Sequence, residues 1–162
     1  TILAEKTVVL DEAQVLAAAV VADYLNPAEM VKADAFLIDL AGRQRLLIQQ
    51  MVKDTCLIDA GISTGGDVTD ELERSMATFS TALDAMRQGM PALGVRPPPT
   101  PEIAEALEAV AADWVVVKPK ISLVVDGAVL DPAQATAKAA LYQVMMDDMS
   151  NVVSLYLEAI QS

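Results

Sequence analysis

The chain has 162 residues, of which 54% are hydrophobic, 4% aromatic and 21% charged. Its 11 Lys and Arg face 23 Asp and Glu, and the net charge of −12 repels phosphate backbones and anionic lipid surfaces. There is no histidine and one cysteine, which removes the commonest general base, the Ser-His and Cys-His nucleophile pairs, an intrachain disulfide and a Cys-based zinc site.

High apolar content and a positive mean hydropathy argue against disorder. No apolar run reaches the roughly 18 residues of a membrane span. The chain opens on Thr1 rather than Met, which reads as a chain processed or cut from something longer, with any signal peptide or anchor lost.

In chain order, the alanine-rich stretch near 10–25 predicts an N-terminal helix. Asn26-Pro27 is a helix-start signal, a cap residue followed by proline at the first helical position. It opens a second predicted helix at 27–60. A Gly-rich loop at 61–67 precedes a helix at 67–88, on which Val68, Leu72, Met76, Phe79, Leu83 and Met86 keep one face. The Pro- and Gly-rich stretch 89–101 cannot be helical, and Pro97-Pro98-Pro99 reads as a stiff connector. Ile103, Leu107, Val110, Trp114, Val117, Ile121 and Val124 then alternate steps of four and three over 101–126, with a kink expected at Pro119. Asp131-Pro132 starts a last helix at 132–161, with a seam of Ala135, Ala139, Tyr142, Met146, Met149, Val153, Tyr156 and Ile160.

The expected fold is therefore all-α: an up-down four-helix bundle over 27–162 with an additional N-terminal helix in the extension 1–26. Trp114 and the eight methionines fit the core seams, and no His or second Cys supports a copper site. Asp147-Asp148 lacks the loop that calcium requires. Cys56, in apolar context, is expected to be buried and inert. No metal or cofactor is expected, and no nucleophile motif supports an enzyme.

The helix at 27–60 departs from this pattern. On a wheel, Leu37, Leu40, Gln44, Leu47, Met51 and Ile58 make a core seam. A second stripe, Ile38, Ala41, Arg45, Ile48 and Val52, is apolar apart from Arg45. Two stripes predict two contacts, one with the bundle core and one with a second surface such as a dimer partner. Gly42, mid-helix, costs about 1 kcal/mol relative to alanine and is kept where a backbone or ligand comes close. A lone guanidinium in an apolar stripe either pairs with a carboxylate or holds an anion, and two copies related by a two-fold axis would converge on one planar oxyanion.

The run Ala41-Gly42-Arg43-Gln44-Arg45-Leu46-Leu47, followed by Gln49, Met51 and Lys53, resembles the AGRQRMLSQRMAK signature of PilJ-type domains. These are the N-terminal sensor modules of type IV pili methyl-accepting chemotaxis transducers. Gly89-Met90-Pro91-Ala92-Leu93-Gly94 and Pro97 to Ile103 are similar to the family's interhelical loop, and Met145 to Tyr156 is similar to its last helix. Ile48 and Gln50 stand where the signature has serine and arginine.

The resemblance implies a periplasmic or extracellular sensor. It is related to the nitrate/nitrite sensor kinases, in which the matching arginine binds nitrate at a dimer interface. Carried over by motif, the ligand site is Arg45 with Gly42, Ala41 and Gln49. The implied partners are a small anion and a second copy or signalling protein, with no nucleic acid. The other reading is a structural or protein-interaction bundle that has lost anion binding.

Overall fold

A computed structural model describes residues 27–62 and 67–161. The expected N-terminal helix lies outside the described residues. Four helices follow in order: α1 (Pro27–Asp59), α2 (Asp67–Gln88), α3 (Pro101–Val125) and α4 (Pro132–Gln161). Their bounds fall within one residue of those the sequence predicts. Among the described residues no helix is long and apolar enough to cross a membrane.

The helix ends are set by local chemistry. Thr100 caps α3 by accepting a 3.3 Å bond from the Ile103 amide, with Pro101 at the first helical position. Asp131 and Gln134 form a reciprocal box at the start of α4: the Asp131 carboxylate accepts from the Gln134 amide (2.8 Å), and the Gln134 side chain accepts from the Asp131 amide (3.0 Å). The stretch 89–100 contains one 3₁₀ turn, Pro91–Leu93, clamped by paired bonds between Met90 and Val95. Gly89 enters it at φ +77°, and a Cβ there would lie 2.9 Å from Pro97, so no other residue fits.

α1 packs on α2 and α4, and α3 packs on α2 and α4, with only a weak diagonal contact between α1 and α3. The core runs down the axis. Phe79 and Trp114 meet at 4.8 Å between ring centroids, tilted by 60°. The Trp114 indole N–H donates to the Ser80 hydroxyl at 2.9 Å, so burial leaves it satisfied. All seven predicted seam residues of α3 are buried. α3 continues through Pro119; the Val115 carbonyl, which loses its donor there, belongs to a residue that is 72% exposed.

Two seams differ from their predicted membership. On α1 the buried set is Leu37, Ala41, Gln44, Ile48, Met51, Asp54 and Thr55, while Leu40, Leu47 and Ile58 are half-buried flanks. On α4 the buried set is Lys138, Tyr142, Met145, Met149, Val152 and Tyr156; Met146 and Val153 are half-buried, and Ala139 and Ile160 are exposed. The cause is shared. α1 and α4 each pack extensively on both neighbours, whereas α2 and α3 meet each other only lightly, so the buried arcs of α1 and α4 are wider and centred between the stripes a single seam would suggest. Cys56 is exposed, contrary to expectation, because it projects from the outer edge of this arc beside the buried Thr55.

Candidate anion site on helix α1

Arg45 lies on the flank of α1 that turns toward α4. Asp34 and Asp59 fall within about 40° of it on the helix wheel, and both meet α4. Asp59 accepts from the Lys138 ammonium, which is almost wholly buried, and Asp34 lies beside Tyr156. Asp34 also pairs with Arg96 of the α2–α3 connection.

This flank is poor in hydrogen-bond partners. The Arg45 Nε is sealed from solvent with no acceptor, and Arg45 makes no ion pair among the described residues. The hydroxyls of Tyr142 and Tyr156 are also buried without a partner. Tyr142 lies beside Thr55 but without hydrogen-bond geometry, and the Thr55 hydroxyl donates instead to the Met51 carbonyl at 2.8 Å. Burial pushes the Tyr142 phenol upward, and burial with the nearby Asp34 charge pushes Tyr156 up to about 12. Both phenols are neutral donors at physiological pH.

The expected site residues divide by depth. Arg45 and Gly42 are half-buried, and Gln49 is exposed on the same outward flank. A Cβ built on Gly42 meets nothing within 4 Å, so the packing of this chain alone does not require glycine there. Ala41 has no exposed surface and belongs to the core, one turn before Arg45, rather than to the flank. The second stripe therefore does not stand apart from the bundle: Ala41 and Ile48 are interior, and only Arg45 and its outer neighbours remain for an external contact.

The two departures from the signature also have places. Ile48 is fully buried. Gln50 lies about 140° around the helix from Arg45, where its amide donates to both oxygens of Asp54 (3.2 and 3.1 Å). Within one chain, an arginine at position 50 would stand on the other side of α1 from Arg45. Arg43 is exposed and paired with Asp39 one turn earlier at 2.8 Å.

Sequence reasoning missed the buried Lys138, which the apolar periodicity of its neighbours concealed. It also missed the connector pair of Arg96 and Asp34, 62 residues apart. A separate groove of about 400 Å³, lined by Phe36, Leu40, Ala82 and Leu93 among others, carries no charged side chain and offers nothing to an anion.

Comparisons with known proteins agree with this architecture. The ligand-binding domain of the P. aeruginosa nitrate receptor McpN superposes with a TM-score of 0.65 at 22% identity, covering 77% of this chain and 95% of that one. No curated protein sequence matches. The family model described as "Type IV pili methyl-accepting chemotaxis transducer N-term" (PilJ) matches residues 28–144. With most of its length inside that match and the helical bundle in place, the chain belongs to the PilJ family.

Proposed function

We propose that this domain is an extracytoplasmic sensor that binds a small oxyanion of the nitrate or nitrite type at Arg45. A second copy across a two-fold axis completes the site. The observation that carries the reading is that Arg45, whose buried Nε has no partner among the described residues, lies one turn from Gly42, where a Cβ would meet none of the described residues within 4 Å. A guanidinium without a carboxylate partner among the described residues is suited to an anion from outside. Gln49 lends an exposed amide, and Ala41 backs the site from within. The family and the receptor domain of similar fold agree with a sensory role rather than catalysis.

The test is ligand-dependent melting. A ligand at 100 times its Kd stabilises by about 2.7 kcal/mol, so nitrate, nitrite or a related oxyanion is expected to raise the Tm of the wild type and not of Arg45→Ala. If no oxyanion shifts the wild type, or the variant shifts equally, the assignment fails.

Gly42→Ala separates the site from the scaffold. It is expected to stabilise the unliganded chain by about 1 kcal/mol, because the added methyl meets nothing, while weakening the oxyanion response through the surface it blocks. Parallel melts with and without ligand measure both effects. Gln50→Arg, in turn, is expected to leave the melting response to oxyanion within a factor of about two in apparent Kd, a difference below 0.5 kcal/mol.

The interaction-bundle reading is favoured by one observation, the conversion of the signature serine to the buried Ile48. Sedimentation at increasing concentration distinguishes the two. Oxyanion-linked dimerisation supports the sensor, and ligand-independent association supports an interaction bundle.

A further inference from the structure

Two carboxylates outside the Arg45 flank meet across the α3–α4 seam. Asp113 lies about three turns before the end of α3 and Asp148 a little over four turns into α4, and both are half-buried. One oxygen of Asp113, Oδ2, is closed to solvent and has no donor in reach. The group that faces Asp113 is the Asp148 carboxyl, within hydrogen-bonding reach. Two ionised carboxylates cannot satisfy each other, whereas a carboxylic acid and a carboxylate form a short, charge-assisted bond.

Among the described residues no ion pair or hydrogen bond brings a cation to the pair. On α2, the helix packed against the other side of α3, Arg87 is held by Glu108 in a double bond of 2.8 and 2.7 Å. On α1, packed against the other side of α4, Lys53 lies against Asp54, and no ion pair joins Arg45 to either carboxylate. Lys138 of α4 is taken by Asp59. Lys120 lines a cavity about two turns along α3. Asp147, adjacent to Asp148, is exposed and accepts from Gln143 at 2.9 Å.

We propose that Asp113 and Asp148 hold a single proton between them and that its loss loosens the α3–α4 seam, making the bundle responsive to pH. The sign follows from linkage. Burial, and then the neighbouring Asp148, raise the Asp113 carboxyl above its ordinary range. The folded chain therefore binds this proton more tightly than the unfolded chain. The stabilisation is complete below the unfolded carboxylate pKa and is lost as pH rises through the elevated folded value. Acidification tightens the seam and alkalinisation relaxes it. The device is independent of the oxyanion reading and would operate in an interaction bundle as well.

The experiment compares wild type with Asp113→Asn and Asp148→Asn, because asparagine keeps the shape and donates to the remaining carboxylate at every pH. In thermal melts the variants are expected to match the wild type near about pH 4. They should exceed it by several degrees near about pH 8, with the difference opening along one titration curve. A Tm difference that does not change with pH overturns the proposal. Carbon-detected carboxyl titration of the unmutated protein provides a reading that does not depend on the variants folding. One resonance of the pair should titrate well above the other carboxylates; if both titrate at the ordinary aspartate value, the proposal is overturned.

Discussion

Phe79→Ala is expected to cost about 3–5 kcal/mol of folding free energy, the range for truncating a fully buried phenylalanine. Phe79 has no exposed surface, and it is the ring against which Trp114 is tilted. The truncation removes the transfer free energy of the ring and leaves a cavity beside the indole. The walls cannot collapse freely, because the indole N–H is tied to Ser80 on the same helix as Phe79. Denaturant unfolding measures the loss, and the fluorescence of the single tryptophan reports the altered contact. Phe79→Leu, which keeps more of the volume, is expected to cost less than half as much. A loss below about 1 kcal/mol for the alanine variant would mean that this layer of the bundle is not packed as described.

Ile48→Ser, which restores the serine of the family signature, is expected to destabilise the chain by about 2–4 kcal/mol. Ile48 is fully buried and lies one turn beyond Gln44. Gln44 is itself 1% exposed, and its Oε1 has no hydrogen-bond partner. A buried acceptor in this state costs about 1–3 kcal/mol. A serine at 48 would bring a hydroxyl within one turn of that oxygen and recover part of the loss. Gln44→Met is therefore expected to stabilise the wild type by about 1–2 kcal/mol and to gain less in the Ile48→Ser background. A double-mutant cycle in urea reads this coupling, and strict additivity would disprove the contact between the two positions.

Helix bounds were legible because proline, glycine and capping residues act locally, within a few residues of the end they set. The α3 seam was legible for a related reason: its apolar residues follow one line, and the structure buries all seven. The α1 and α4 seams were less so, because each of these helices packs extensively on both neighbours, whereas α3 packs heavily on α4 and only lightly on α2, and the buried arc depends on where such neighbours lie. Cys56 was misread for that reason. Its neighbours along the sequence are apolar, but its angle on the helix carries it outside the arc. In the candidate site, Arg45 and Gly42 were singled out by residue type and spacing. The opposing positions of Arg45 and Gln50 follow from helix geometry once the buried arc is known. The Asp113–Asp148 contact joins residues 35 apart on separate helices and has no local signature.

The closure of α4 against α1 carries a kinetic consequence. Asp59 and Lys138 are separated by 79 residues, whereas the neighbours within each of the other pairs follow one another directly along the chain. During synthesis the α1–α2 and α2–α3 contacts form as soon as each hairpin emerges, but the α1–α4 seam waits for the last helix. Until then the flank that bears Arg45 lacks its wall. A chain without α4 can thus hold most of its helices and still lack the packed α1–α4 face on which the proposed anion site at Arg45 depends.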